Sequence, residues 1–197
     1  MFRGGPRQDD RVSESRVLVW WARVTPGAPD EASELARRAV AHVRGVDPAD
    51  VVVGRRCPTC GSAAHGAPTT TGAHVSITRG TGVVAVAASL DSPVGIDLEH
   101  RRDELWPGFD EVALSPDEHA PTADGRLRAW VRKEAVLKAS GLGLTLDPRR
   151  VTISAGQVVA APPEVAACEL HDMDPPGHLG AVAAPVGAAV VVREVRP

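Results

Sequence analysis

The sequence predicts an α+β fold built from two related lobes. In each half of the 197-residue chain, a segment with helical spacing of apolar residues is accompanied by several short β-type segments, and Gly and Pro residues separate these segments. The hydrophobic content of 43% is sufficient for one substantial core or for two small cores side by side. We expect the junction near residues 89–94, with an N-terminal lobe at residues 1–92 and a C-terminal lobe at residues 93–197.

The N-terminal half is expected to begin with a strand and a helix. Residues 17–24 alternate loosely in hydrophobicity and predict the strand. Residues 30–43 carry apolar side chains at helical spacing behind Asp30, a candidate N-cap. The elements expected after them are a short strand at 51–53, a turn-rich loop at 57–72, a hairpin with strands at 74–78 and 83–89, and a strand at 94–99.

The C-terminal half is expected to contain two helix starts and then short strands. Ser115 and Glu118 have the spacing of a capping box and predict the first helix start. A longer helix is predicted at residues 125–140, where Gly141 and Gly143 end it. Short β-type segments follow at 151–154, 157–160, 168–171 and 186–195.

The charge balance excludes some classes of partner. The chain has 22 basic and 25 acidic residues, and its net charge of -3 supplies no general field for nucleic-acid binding. Any phosphate ligand must therefore be bound by local contacts. Residues 1–10 lack the apolar segment of a signal peptide, and the apolar run at 180–192 is too short to span a bilayer. We expect a cytoplasmic protein that binds neither nucleic acid nor membrane.

Three carboxylates stand out as candidate metal ligands. Asp97 and Glu99 are two apart in a predicted strand and therefore point to the same face. Glu134 lies on one side of the long helix with Trp130 and Lys138. Taken separately, each segment also fits a solvated strand face or a surface Glu134–Lys138 pair. Taken together, three oxygen ligands and a phosphate-bearing substrate favour Mg²⁺.

The order and spacing of these segments carry a family resemblance. The segment Gly95-Ile96-Asp97-Leu98-Glu99 and, about thirty residues later, Trp130-x-x-Lys133-Glu134-Ala135-x-x-Lys138 resemble the paired signature of the 4'-phosphopantetheinyl transferases. The segments 114–118 and 141–144 and the Gly-x-Pro at 66–68 also match. The length and lobe organisation are similar to the surfactin-synthetase-activating type, a monomer whose two lobes are related by a pseudo-twofold axis with the substrate cleft between them.

The resemblance implies a reaction and a set of residues. It implies that the 4'-phosphopantetheine group of coenzyme A is transferred to a serine of an acyl or peptidyl carrier protein and that 3',5'-ADP is released. It implies Mg²⁺ at Asp97, Glu99 and Glu134, with Glu134 and Lys138 as catalytic residues. Glu134 and a metal-bound water are the two candidate bases for the serine. The residues that the resemblance implies for coenzyme A binding are Arg37, Gly66, Pro68, Thr78, Arg79, Lys133 and Lys138.

Two of these assignments have alternatives. Lys133 is turned by about 100° around the helix from Glu134, so both a phosphate contact and a solvated position are open. Glu118 could help to orient the second lobe or the metal shell, or could only complete its capping box.

The sequence also departs from the family pattern. Thr78 and Arg79 stand where the family usually has Ser-His, and Ala67 stands where it usually has a basic residue. An arginine can bind the nucleotide 3'-phosphate in place of the histidine, with a different geometry. These departures leave an alternative, a weakened relative that binds coenzyme A or a carrier protein without efficient transfer.

A second candidate metal site lies outside the family signature. Cys57, Cys60 and His65 resemble half of a zinc knuckle, with His74 as a conceivable fourth ligand, and the alternative is a loop with two free thiols. A zinc-knuckle nucleic-acid module is the more distant functional alternative, and the net charge opposes it.

A carrier protein would also need a docking surface. Trp106 and Phe109 are candidates for carrier docking or for core packing. Basic residues that could steer an acidic carrier, or simply be solvated, are Arg101, Arg102, Arg126, Arg128 and Arg132.

Overall fold

The computed structural model describes residues 16–25, 31–57 and 59–196. The strands are β1 (Arg16–Arg23), β2 (Gly54–Arg56), β3 (Ala67–Thr69), β4 (His74–Gly80), β5 (Val83–Ser89), β6 (Gly95–His100), β7 (Thr152–Ser154), β8 (Gln157–Ala160), β9 (Cys168–Met173), β10 (His178–Pro185) and β11 (Ala189–Glu194). The α-helices are α1 (Glu31–Arg44), α2 (Phe109–Ala113) and α3 (Ala123–Ala139). None of the helices in these ranges is long and apolar enough to cross a membrane.

The larger sheet has the strand order β11-β1-β5-β4. Strand β1 pairs in parallel with β11 and antiparallel with β5, so the end of the chain contributes a strand to the sheet of the N-terminal half. Helix α1 packs its buried side chains, among them Leu35 and Val40, against one face of this sheet. Strand β5 is buried along its whole length because both faces of the sheet are covered there.

The smaller sheet has the strand order β6-β10-β9 and is covered by helix α3. The helix lies very close to β6 because residue 95 is a glycine. A Cβ on Gly95 would lie 1.8 Å from the carbonyl oxygen of Ala135 and 2.6 Å from the amide nitrogen of Ala139. Any larger residue would therefore push α3 away from β6, and the glycine of the sequence signature sets the distance between the two halves of that signature.

The two sheets meet along β4 and β6, where side chains replace a backbone ladder. The amide of Ile96 donates to Ser76 Oγ at 3.1 Å, and the amide of Leu98 donates to Thr78 Oγ1 at 3.3 Å. Both amides belong to the edge strand of the smaller sheet, so the hydroxyls satisfy groups that would otherwise be buried without a partner. The β4–β6 contact joins the two halves of the chain.

Most of the predicted elements are confirmed. The strand at 17–24, the hairpin at 74–89 and the strand at 94–99 correspond to β1, β4–β5 and β6. The long helix is α3, capped by Thr122, whose hydroxyl accepts from the amide of Gly125 at 3.0 Å. The helix at 30–43 is α1, and the candidate cap Asp30 lies outside the described residues. The strands at 151–154, 157–160 and 168–171 correspond to β7, β8 and β9.

Two predicted elements are wrong, and one strand was not predicted. Residues 51–53 are not a strand, because they follow a short 3-10 turn at Pro48–Asp50 and pairing begins only at β2. No helix starts at Ser115. Glu118 does accept from the Ser115 amide at 2.8 Å, but its other oxygen accepts from the amide of Ile153, so the segment stays a turn. The strand predicted at 186–195 corresponds to β11, which begins at Ala189, and β10 before it was not predicted. The pseudo-twofold relation between lobes stays a prediction.

Candidate functional site

A pocket of about 750 Å³ opens between strand β4, the end of helix α3 and the loop around β3. Glu134 and Lys138 of α3 line it on one side, and Gly66 and Pro68 line it on another. Gly66 must be a glycine, since its φ is 102° and a Cβ there would lie 2.4 Å from the carbonyl oxygen of Arg56. Four of the predicted site residues thus share one pocket.

Asp97 lies deep beside this pocket with one oxygen occupied and one without a partner. Its Oδ1 accepts from Lys138 Nζ at 2.6 Å and from Thr78 Oγ1 at 3.1 Å. Its Oδ2 is buried and has no hydrogen-bond partner among the described residues. Burial raises the pKa of Asp97, and the Lys138 charge opposes this rise.

Glu134 is the second buried carboxyl of the site. Its side chain is buried, with 8% of the residue exposed, and Oε1 has no partner within the described ranges. Burial first, and then the charges of Asp97 and Glu99, raise the pKa of Glu134 from 4.5 to about 7, whereas Lys138 opposes the rise. A negative charge at Glu134 is therefore costly in the folded protein without a cation.

Glu99 completes the group at its more exposed edge. It is half-buried and pairs with Arg102 at 3.4 Å. Burial and the charge of Asp97 raise the pKa of Glu99 as well. The three carboxylates of the predicted metal site therefore lie close enough to influence one another's ionisation, and α3 and β6 supply them from opposite sides.

Lys133 occupies neither of the positions that its sequence allowed. Its side chain is fully buried, its Nζ donates to the carbonyl oxygen of Ala113 at 2.7 Å, and it forms an ion pair with Glu118. Burial lowers the pKa of Lys133, and Glu118 opposes this. The solvated alternative is wrong, and Lys133 does not line the pocket. Lys133 and Glu118 instead connect α3 to the turn that follows α2.

The remaining predicted ligands of coenzyme A lie outside the pocket lining. Thr78 is buried at the β4–β6 contact and orients Asp97. Arg79, the next residue of β4, is exposed. Arg37 is exposed on α1 and pairs with Glu34. Of these three residues, only Thr78 contacts the acidic group directly.

His178 is a site residue that the sequence did not indicate. It is buried at the start of β10, its Nδ1 lies 3.0 Å from the carbonyl oxygen of Pro176, and its Nε2 has no partner in the described part of the chain. Its ring packs edge-on against His100 at a centroid distance of 5.1 Å. Because β10 itself was not predicted, no sequence signal placed this histidine near the acidic group.

The aromatic docking candidates divide between surface and core. Trp106 is 43% exposed, whereas Phe109 is buried beneath it, and both rings contact Trp130. The basic residues considered for steering form ion pairs with acidic neighbours, which weakens a local positive field. These pairs are Arg101–Asp124, Arg102–Glu99, Arg126–Asp110, Arg128–Asp174 and Arg132–Asp172.

One protein-family model matches the segment that carries this acidic group. Residues 93–172 match the model of the 4'-phosphopantetheinyl transferase superfamily. This match supports the superfamily and, in general terms, phosphopantetheinyl transfer. The matched range contains all three carboxylates and Lys138, and the mixed structure of small sheets and few helices is compatible with that fold. No curated protein matches the chain.

A separate cluster of metal-ligand side chains lies beside the pocket. Within the described residues, Cys57, Cys60 and His65 form the group that brings three ligand atoms within 4.8 Å of one another, and His74 is not part of it. Both cysteines are free of disulfide bonds. Backbone hydrogen bonds from Cys60 and Thr59 lower the pKa of Cys57.

Proposed function

We propose that this protein transfers the 4'-phosphopantetheine group of coenzyme A to a serine of an acyl or peptidyl carrier protein and releases 3',5'-ADP. The observation that carries the proposal is a pair of buried carboxylate oxygens, Asp97 Oδ2 and Glu134 Oε1, that have no partner among the described residues, while Lys138 pairs with the other oxygen of Asp97. Most buried polar atoms have a partner, and a bound ion is one way to supply it. The superfamily match over the same segment supports phosphopantetheinyl transfer in general terms.

The acidic group fits a divalent hard cation. Asp97, Glu99 and Glu134 would hold Mg²⁺, whose preferred ligands are carboxylate, phosphate and water oxygens. The fit rests on the two buried oxygens without a described partner and on the burial and the neighbouring Asp97 charge that raise the pKa of Glu134. When bound, the ion supplies neutralisation of the negative charge on the pyrophosphate and on the leaving group.

The other predicted site residues would bind coenzyme A or hold the acidic group in place. The pocket volume lies within the range typical of small-molecule sites, and Gly66 and Pro68 would form the wall against coenzyme A. Lys138 would stabilise the charge of the pyrophosphate from the same helical face as Glu134. Arg37 and Arg79 stay candidates for the nucleotide phosphates, since both are exposed. Lys133 and Thr78 would act indirectly, by fixing α3 and Asp97.

The transfer itself exchanges one phosphorus–oxygen bond for another. The carrier serine oxygen bonds to the phosphorus that bears the pantetheine arm, the bond from that phosphorus to 3',5'-ADP breaks, and the serine hydroxyl loses its proton. An unpartnered carboxylate oxygen of Glu134 supports this residue as the proton acceptor. The protein would act as a cytoplasmic monomer, with lobes at residues 1–92 and 93–197 related by a pseudo-twofold axis.

The weakened relative is the second candidate function. Ala67 lies in β3 beside the pocket, so the position that is usually basic contributes no charge to the coenzyme A wall. The two candidates differ in turnover rather than in binding. A relative without efficient transfer would bind coenzyme A and leave the carrier serine unmodified.

The test is to incubate the protein with coenzyme A, Mg²⁺ and a panel of apo acyl and peptidyl carrier proteins. Intact-mass spectrometry should show the phosphopantetheine mass gain on at least one carrier, with an equal amount of 3',5'-ADP released. Calorimetry with coenzyme A runs beside it. Binding without any mass gain across the panel supports the weakened relative, and the absence of both binding and mass gain rejects the proposal.

A further inference from the structure

The loop between β2 and β3 contains three metal-binding side chains that the acidic site does not use. Cys57 directly follows β2, and His65 lies two residues before β3, so the two ends of the loop meet at the base of a short hairpin. Cys60 lies in the turn between them. Their ligand atoms all lie within 4.8 Å of one another. The histidine is not adjacent to the cysteines in the sequence, so the conformation of the loop brings its imidazole close to the two thiols.

The spacing of these atoms is close to that of a zinc site. The Cys60 Sγ to His65 Nε2 distance is 3.4 Å. A tetrahedral Zn²⁺ with bonds of about 2.3 Å to sulfur and about 2.0–2.1 Å to nitrogen separates such ligand atoms by about 3.6 Å. Two thiolates and an imidazole are also a donor set that Zn²⁺ prefers over Mg²⁺. The geometry needs only small side-chain adjustments to close around an ion.

Backbone hydrogen bonds fix the turn that carries the two cysteines. The amide of Cys57 donates to the carbonyl oxygen of Ser62 at 2.9 Å, and the amide of Gly61 donates to the carbonyl oxygen of Cys57 at 2.9 Å. These two bonds close a compact turn between Cys57 and Ser62, and the sulfur atoms of Cys57 and Cys60 lie within 4.8 Å of each other.

From this geometry we propose that Cys57, Cys60 and His65 bind one Zn²⁺ that closes the β2–β3 loop, with water in the fourth position. Cys57 and Thr59 line the same pocket as Gly66 and Pro68. The ion would therefore fix one wall of that pocket without taking part in chemistry there. The net charge of -3 opposes a role of this loop in nucleic-acid binding.

The proposal is tested on the full chain, purified without a histidine tag after expression with zinc. Elemental analysis should find about one zinc per chain in the wild type and at most one tenth of that in Cys60→Ser and in His65→Ala. Cys168→Ser is the matched control, since Cys168 lies in β9, away from the loop, and it should keep its zinc. Asp97→Asn should also keep its zinc, which separates this site from the acidic one.

A second readout tests whether the ion closes the loop. Removal of zinc with a chelator should speed tryptic cleavage after Arg55 and Arg56 at least fivefold in the wild type and should not change it in Cys60→Ser. Folding of each variant is checked by circular dichroism. Wild-type protein without zinc, zinc retained in Cys60→Ser, or a Cys57–Cys60 disulfide detected by non-reducing mass analysis would each overturn the proposal.

Discussion

Replacement of Glu134 by Gln should stabilise the metal-free protein above neutral pH. The pKa of Glu134 rises from 4.5 to about 7 in the folded protein, so the folded state holds the proton more tightly than the unfolded state. Between these two values the wild type loses stability as pH increases, and above about 7 the loss is complete. At 1.36 kcal/mol per pKa unit the full loss is about 3 kcal/mol. A polar group of the new Gln amide would be buried without a hydrogen-bond partner, which offsets part of this difference. We therefore expect the substitution to raise the free energy of unfolding by about 1–3 kcal/mol.

The assay is urea unfolding of both proteins in chelator at pH 4 and at pH 8. The variant should be more stable at pH 8. At pH 4, where Glu134 is protonated in the folded and mostly in the unfolded state, this gain should be absent, and the variant should equal the wild type or be up to about 2 kcal/mol less stable because of its amide. Glu111→Gln is the control, because Glu111 is exposed and its replacement should change stability by less than about 0.5 kcal/mol. Added Mg²⁺ should stabilise the wild type more than Glu134→Gln.

A difference in the free energy of unfolding between the two proteins that is independent of pH would contradict this prediction. Lower stability of Glu134→Gln than of the wild type at pH 8 in chelator would also contradict it. Either result would mean that the Glu134 carboxylate is already satisfied within the folded chain.

Four further substitutions test the structure around the site. Gly95→Ala should destabilise the protein by about 2–4 kcal/mol in urea unfolding, because the new Cβ would overlap a carbonyl of α3; a loss below 0.5 kcal/mol would contradict this contact. Glu118→Ala should cost about 3–5 kcal/mol since it leaves Lys133 buried and unpaired, and Glu118→Leu combined with Lys133→Met should recover most of that loss in the same assay. Thr78→Val should lower the free energy of unfolding by about 1–3 kcal/mol because it removes the acceptor for a β6 amide, whereas Thr78→Ser keeps the hydroxyl and should stay close to the wild type. Lys138→Met should lower the rate of carrier modification by about 10²–10³-fold, measured by mass spectrometry, and an unchanged rate would remove Lys138 from the mechanism.

The parts of the fold that follow a simple period were predictable from the sequence. Helix α1 carries apolar residues at helical spacing, and strands β1, β5 and β6 are short apolar segments with one face or both buried. Strand β10 was missed because its sequence, HLGAVAAP, is made of small residues and ends in proline. It forms because it is the central strand of the smaller sheet, where a Cβ on Gly180 would lie 2.7 Å from the carbonyl oxygen of Met173. That close approach is a tertiary constraint, which no local propensity reveals.

The sequence predicted which site residues lie together only where those residues belong to the same strand or the same helix. Strand alternation placed Asp97 and Glu99 together, and helical spacing placed Glu134 with Lys138. The same spacing could not show that Lys133, one residue away from Glu134, is buried against Glu118. The partner of a buried charge comes from a distant segment, so the sequence leaves its role undecided. His178 was out of reach for the same reason.

The most direct test of the acidic site is the dependence of carrier modification on Mg²⁺ concentration in the wild type, Asp97→Asn, Glu134→Gln and the control Glu111→Gln. The rate of mass gain on one apo carrier is followed with coenzyme A at a fixed, saturating concentration. We predict that the wild type and Glu111→Gln show the same saturable dependence on Mg²⁺ and that the two site variants lose at least 10²-fold in rate at every concentration. A wild-type rate that is unchanged in chelator, or full activity in Glu134→Gln, would contradict the account.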